Sequence, residues 1–188
     1  ITYTPDASFN GADSFTYTIS DGNGGSDTAT VNITISSVND GPDAVNDNVS
    51  TDEDTSVAIT VLGNDIDIDG DELTVSATSD PANGAATINA DGTVTYTPDA
   101  DFNGADSFIY TIVDGNGGSD SATVSVTINP VNDGPNADED SATTAEDSSV
   151  SIAVLDNDTD IDGDALTVVP GTFTTIQGGT IVISANGS

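Results

Sequence analysis

Val94–Phe108 reads VTYTPDADFNGADSF, and Ile1–Phe15 reads ITYTPDASFNGADSF, with two differences in fifteen positions. Val94 and Tyr96 alternate with Thr93, Thr95 and Thr97, the period of two that belongs to a β-strand. The residue numbers of the two copies differ by 93, so the chain is a tandem array of one small unit. Farther on, Asn89–Thr93 (NADGT) aligns with Ser184–Ser188 (SANGS) at an offset of 95. Ser188 is thereby in phase with Ile1, and the chain is expected to hold two full periods of an array, cut within a repeat. Such arrays serve as spacers, stalks or filaments more often than as catalysts.

The same alternation runs outward from this stretch. Val57, Ile59 and Val61 share one strand face; so do Phe108, Tyr110 and Ile112, and Val124, Val126 and Ile128. Thr, Val and Ile dominate, Leu occurs only four times, and no stretch repeats at 3.6, so the chain is all-β. Val38–Pro42 and Val131–Pro135 both read VNDGP, a strand-stopping linker. They divide the chain into the C-terminal half of a repeat (1–42), a complete repeat (43–135) and the N-terminal half of the next (136–188). About seven strands are predicted in the complete repeat, near 44–50, 55–61, 72–79, 84–89, 92–97, 106–113 and 118–129. Asp114–Gly118 (DGNGG) makes the last hairpin turn. Seven short strands separated by turn signals predict a Greek-key, immunoglobulin-like β-sandwich, repeated end to end. Eight of the nine aromatic residues recur in pairs, Tyr3, Phe9, Phe15 and Tyr17 with Tyr96, Phe102, Phe108 and Tyr110; strand alternation reads them as sandwich core, and the alternative is a sugar- or peptide-binding surface.

Composition removes whole mechanisms. There is no Lys, Arg, His, Cys, Met or Trp, while 33 Asp and Glu give a formal charge of −33. Disulfides, thiolate metal sites, imidazole bases and Schiff-base lysines are excluded. Nucleic acid and anionic membranes would be repelled, and no apolar run is long enough for a membrane helix. A compact state with this charge needs cations to offset its self-repulsion. A carboxylate glycosidase is disfavoured too, because no basic residue is present to orient a substrate. No signal peptide is visible, so the piece is expected to be interior to something larger, or a processed product.

The acids are not scattered. Asp65, Asp67, Asp69, Gly70 and Asp71 form a DxDxDGD run, copied as Asp158, Asp160, Asp162, Gly163 and Asp164. Glu53-Asp54 is copied as Glu146-Asp147; Asp99, Asp101 and Asp106 have copies at Asp6 and Asp13, with Ser8 in the middle place. Asp114 and Asp120 recur as Asp21 and Asp27, and the linkers add Asn39-Asp40 and Asn132-Asp133. Dense hard oxygen ligands fit Ca²⁺, which takes six to eight of them. The DxDxDG run resembles the start of an EF-hand loop, but its twelfth position is Ser76 or Val169 rather than Glu, and its flanks are strands. Strand polarity sorts the clusters. Antiparallel succession puts Asp65–Asp71 and Asp114–Asp120 at one end of a sandwich, and Glu53, Asp54, Asp99, Asp101, Asp106 and the exit linker at the other. Stacking repeats end to end brings every cluster to a junction.

With these motifs the chain resembles the cadherin-like tandem repeats of giant bacterial surface adhesins, many of the RTX type exported by type I secretion. Its site logic is also similar to that of animal cadherins. That resemblance implies Ca²⁺ shared by Glu53, Asp99 to Asp106, Asn132-Asp133, and Asp160 with Asp162. The lack of Trp departs from the strand-swapping cadherins, and the glycine-rich nonapeptide array of an RTX export domain is missing from these 188 residues.

The expected function is a calcium-rigidified, non-enzymatic spacer in an extracellular, cell-surface stalk or filament. Its partners would be neighbouring copies, head to tail, with glycan or protein bound through another module. The alternative is an adhesion module gripping glycan, protein, or an ice or mineral surface through Thr-rich strands. Four sequons, at Asn32, Asn48, Asn157 and Asn186, allow glycosylation in a suitable host.

Overall fold

In a computed structural model, residues 1–184 are described; the sequon at Asn186 and most of the phase match at 184–188 lie outside them. The chain forms two compact units, Ile1–Asn129 and Pro130–Ser188.

The first unit contains the complete sandwich. Its seven strands are β3 (Asp47–Asp52), β4 (Val57–Ile59), β5 (Thr74–Thr78), β6 (Gly84–Ile88), β7 (Val94–Pro98), β8 (Gly104–Val113) and β9 (Ser119–Asn129), preceded in the chain by β1 (Gly11–Ser20) and β2 (Ser26–Ile35). One sheet has the order β3-β9-β8-β5 and the other β4-β7-β6. Six antiparallel reversals return the seventh strand to the direction of the first. β3 and β9 accordingly pair in parallel, Asp47 opposite Val124. This closes the fold in the Greek-key manner of immunoglobulin-like sandwiches.

Alternation places the core as read from the sequence. Val94, Tyr96, Phe108, Tyr110, Ile112, Val124, Val126 and Ile128 are buried between the sheets. The Tyr96 and Phe108 rings stack with centroids 6.2 Å apart and planes 4° from parallel. Both tyrosines need a partner for the hydroxyl that alternation drives inward. Tyr96 Oη donates to Asp106 Oδ2 at 2.9 Å. Tyr110 Oη lies 2.9 and 3.1 Å from the two Asp65 oxygens and 2.9 Å from Val45 O.

β1 and β2 form a hairpin with Gly11 opposite Ile35, the register of β8 and β9, where Gly104 faces Ile128. Ile1–Pro5, which match strand β7 in sequence, form no strand. The linker 38–42 packs on the β8–β9 turn: a Cβ added at Gly118 would stand 2.8 Å from Gly41 Cα and 3.0 Å from Pro42 Cδ.

The second unit repeats the start of the sandwich. Asn136 bridges Thr159 as Asp43 bridges Ile66. Among its described residues, β10 (Gly171–Thr174) and β11 (Thr180–Ile183) form a hairpin. The stretches matching β3 and β4 are not in strands among the described residues, and of that matching β5 only Gly171 is, at the start of β10. Their sequence is strand-like, but the ladder partners they use in the complete repeat, β9, β7 and β8, have no counterpart in this unit. A single extended segment without a partner does not hold strand geometry in water.

Candidate metal centre

The Asp65–Asp71 loop leaves the short 3-10 turn Val61–Gly63 and is fixed at both ends by protein groups. At its start Asp65 Oδ1 accepts the N–H of Val45 at 2.7 Å and faces the Tyr110 hydroxyl. Asp65 is therefore engaged in holding the loop to the core. Asp67 folds the loop on itself: its Oδ1 accepts the N–H of Asp69 at 2.9 Å and of Asp71 at 3.2 Å. Gly70, at φ 78°, supplies the left-handed residue this tight reversal requires. The outcome is three carboxylates, Asp67, Asp69 and Asp71, each with an oxygen within 4.8 Å of the others. Asp67 Oδ2 is shut off from solvent and accepts no hydrogen bond.

Neighbouring segments close around these oxygens. The N–H of Asp40 donates to Asp69 Oδ2 at 2.7 Å, tying the linker to the loop. Asn116 Nδ2 donates to Asp71 Oδ2 at 2.7 Å from the β8–β9 turn. Asn39 Nδ2 reaches Asp114 Oδ2 at 2.8 Å. An open cleft of about 560 Å³ lies here, lined by Asn10, Val38, Asn39, Asp69, Asp71 and Asn116 among others. Every polar group in it is a carboxylate, amide or hydroxyl, the donor set of a hard cation.

Asp114 is buried, and its carboxylate accepts the backbone N–H groups of Asn116, Gly117 and Gly118. The Asn39 amide beside it, with these N–H groups, holds its carboxyl below the usual carboxylate range. Asp120 accepts the N–H of Ala44 at 2.9 Å, which lowers its pKa and pins the linker exit to β9.

At the other end of the sandwich, Asp54 Oδ1 accepts the N–H of Asp101 at 3.2 Å, and their carboxylates lie within 4.8 Å. Glu53 is only 3 % exposed and takes the Asn103 amide on Oε2 at 3.2 Å. No side-chain cation exists in this chain to neutralise it. Asp99 stands in the adjoining turn, its N–H donating to Asn83 O. Asp106 serves the fold instead. It accepts the N–H of Ala82 and Asn83 and the Tyr96 hydroxyl, and with Ser107 N–H these bonds lower its pKa against the opposing effect of burial.

In the half-repeat 1–42, Asp13 copies Asp106: Tyr3 Oη donates to it at 2.6 Å. Asp21 closes its turn by accepting the N–H of Asn23 and Gly25, and Asp27 accepts that of Thr28. Asp6 begins the turn that carries Ser8 at φ 54°, the place of Asp101 at φ 56°. Asp6 lines an open cleft with Asp40 and Asp69, whereas Asp13, Asp21 and Asp27 bond to groups between residues 3 and 28.

The second unit rebuilds the loop. Asp160 Oδ1 accepts the N–H of Asp162 and Asp164, Asp158 accepts that of Asp138, and Gly163 has φ 76°. Asp133 N–H donates to Asp162 Oδ2 at 2.7 Å, repeating the Asp40 to Asp69 bond, and the Asn132 amide turns onto Asp133 O. Glu146 precedes Asp147, which takes φ 58° as Asp54 takes 57°.

Three participants were absent from the acids singled out in the sequence. Asn116 and Asn103 bridge the clusters. Asp47 has Oδ2 shut off from solvent without a hydrogen-bond partner, and its pKa is pushed up by burial, with Asp65 adding repulsion. All three recur in the repeat, as Asn23, Asn10 and Asp140, so their repetition was the available signal.

The family profile described as "Bacterial Ig domain" matches residues 1–34, 39–127 and 132–188. Among solved structures, the endo-fucoidan hydrolase MfFcnA4 from glycoside hydrolase family 107 aligns at 24% identity and TM-score 0.37, over 68% of this chain and 20% of that one. The related MfFcnA9 aligns at 22% and 0.33, over 66% and 23%. A nucleoside hydrolase-related hypothetical protein from Saccharophagus degradans, associated with carbohydrate metabolism, aligns at 16% and 0.38, over 50% and 26%. The chain thus spans about a fifth to a quarter of these structures. No curated protein matches it.

Proposed function

The chain belongs to the bacterial Ig domain family, and from that premise we propose that it is a calcium-rigidified spacer in an extracellular stalk or filament that carries an adhesin away from the cell surface. Modules of this family suggest a structural or adhesion-type surface role. The observation that carries the finer reading is the Asp67–Asp71 loop. Its three carboxylates share one small volume, one buried oxygen has no hydrogen-bond partner, and the loop is tied to the linker through Asp40. An uncompensated buried carboxylate oxygen costs free energy that a proton or a cation offsets.

The residues fit Ca²⁺. Asp67, Asp69 and Asp71 would supply the charge, and rotation of the Asn39 and Asn116 amides would turn their oxygens into the same cleft. A bound divalent ion would neutralise the loop and join it to the linker, so that bending at 38–42 would break ligand bonds. Extracellular placement follows from the affinity of such modules, roughly 10⁻⁴–10⁻³ M, which cytosolic calcium would not fill. The side chains available for catalysis are carboxylates and hydroxyls, no basic residue is present to orient a substrate, and the acidic clusters lie in loops and beside linkers, which favours a mechanical role.

Calorimetric titration of the full chain with Ca²⁺, and separately with Mg²⁺, tests this. Saturable Ca²⁺ binding in that range, accompanied by a rise in melting temperature, is expected. No binding heat and no thermal shift at about 10 mM Ca²⁺ would reject the reading.

A further inference from the structure

Asn103 and Asn116, the two amides that bridge the acid clusters of the complete repeat, are each followed by glycine, as is Asn83. Asparagine before glycine is the step at which a chain most readily attacks itself, because glycine has no Cβ to keep its nitrogen away from the asparagine side-chain carbonyl. The three steps share one dipeptide, so their surroundings decide which of them reacts.

Asn83 is locked. Its N–H donates to Asp106 Oδ2 at 2.9 Å, and its carbonyl accepts the Asp99 N–H and the Tyr96 hydroxyl. A Cβ at Gly84 would stand 2.5 Å from Thr97 O, which leaves no room for a ring to close. Asn116 is held through both reacting groups: its Nδ2 donates to Asp71 Oδ2 at 2.7 Å, and the Gly117 N–H donates to Asp114 Oδ1 at 3.0 Å. Asn103 is the open one. Both it and Gly104 are exposed, and a Cβ at Gly104 would meet only Phe102 Cζ, at 3.7 Å. The Asn103 amide donates to Glu53 Oε2 at the longer distance of 3.2 Å. Gly104 opens β8 in the terminal Gly104–Ile128 pair of its ladder with β9, where fraying costs least.

We propose that Asn103 is a site of spontaneous deamidation, which turns its amide bridge into a carboxylate facing Glu53. The Gly104 nitrogen gives up its proton to hydroxide and bonds to Asn103 Cγ; the Cγ–Nδ2 bond breaks and ammonia leaves. Water then opens the cyclic imide to aspartate or isoaspartate. Glu53 is only 3% exposed, and the chain has no Lys, Arg or His to answer the added charge. The new carboxylate therefore repels a buried one where an amide donor stood. Isoaspartate also lengthens the main chain by one carbon at the point where β8 begins. The outcome is a slow, one-way weakening of that end of the sandwich. It does not rest on the calcium reading, because neither the chemistry nor the repulsion needs a cation.

The full chain is incubated for weeks in mildly alkaline buffer with a chelator, well below its melting temperature, and sampled at intervals. Each sample is unfolded and digested with chymotrypsin, which releases Asn103–Phe108 as one peptide. Mass spectrometry reads the exchange of ammonia for water. A chain kept unfolded in urea gives the reference, in which all three asparagines react at similar rates. In the folded chain Asn103 is expected to react about tenfold faster than Asn116, the worth of the further hydrogen bond to a carboxylate that holds Gly117. Asn83 is expected to stay intact. Asn103→Asp installs the product directly and is expected to melt below the parent in chelator. An intact Asn103 in the folded chain, after the unfolded reference has reacted, would overturn the proposal. So would a rate at Asn83 or Asn116 that equals or exceeds the rate at Asn103, or an Asn103→Asp chain that melts with the parent.

Discussion

Asp67→Asn separates a cation-binding loop from a merely acidic one, because its two expected effects have opposite sign. Asp67 holds the loop through Oδ1, which accepts two backbone N–H groups, while Oδ2 is enclosed and accepts none. Its carboxylate lies within 4.8 Å of those of Asp69 and Asp71. Two unit charges at that separation repel by about 0.9 kcal/mol in water and about 3.5 kcal/mol at an effective dielectric constant of 20. Asp69 is exposed, so the lower figure governs, and two neighbours cost about 2 kcal/mol when no cation is present. Asparagine keeps the accepting oxygen and removes the charge. With a chelator, the variant is expected to unfold at higher temperature than the parent, by about 1 kcal/mol after allowance for the amide's imperfect fit. Calcium should reverse the advantage. For a dissociation constant of about 10⁻⁴–10⁻³ M, about 10 mM Ca²⁺ stabilises the parent by about 1.4–2.7 kcal/mol. Each tenfold loss of affinity removes about 1 kcal/mol of that increment. Scanning calorimetry of both proteins in chelator and in calcium gives the four values needed. Equal calcium increments in parent and variant would refute the reasoning, as would a variant less stable than the parent in chelator.

Tyr110→Phe keeps the buried ring but removes the hydroxyl facing Asp65 and Val45, and is expected to cost about 1.5–3 kcal/mol in urea unfolding. Gly118→Val drives a side chain into the Asp114 carboxylate, Gly41 and Pro42 and is expected to lower stability by about 1–3 kcal/mol and to expose the 38–42 linker to proteolysis. Asp114, Asp120 and Asp106 have folded pKa values below their unfolded ones, so their stabilisation is full above about pH 4 and is lost as pH falls through the folded values. Tyr96 and Tyr110 have raised pKa values, so their contribution is present below about pH 10 and is lost on further alkalinisation. Melting temperature against pH should show both limbs, and a flat acid limb would count against the carboxylate bonds described.

The repeat made the fold legible. Alternation at Val94, Tyr96, Phe108 and Tyr110 named the core, and turn residues separated seven strands that overlap those observed, the first shifted from 44–50 to Asp47–Asp52. The acid clusters were legible as groups, because strand polarity alone sends Asp67–Asp71 and Asp114 to one end and Glu53, Asp54 and Asp101 to the other. The work done by individual carboxylates was not. Asp65 and Asp106 sit in the same motifs as their neighbours, but each faces a tyrosine hydroxyl that alternation drives into the core, and this is settled by three-dimensional packing. Asp47 belongs to no acidic run, and it is the fold that brings its carboxylate beside Tyr110, Asp65 and Asn64.

The central claim, that calcium stiffens the join between successive repeats, is tested most directly by small-angle X-ray scattering of the full chain. Profiles are recorded in about 10 mM Ca²⁺ and after chelation. A larger, sharply bounded maximum dimension in calcium, giving way to the scattering of a flexibly jointed chain in chelator, is the predicted result. Identical profiles in the two media would contradict it.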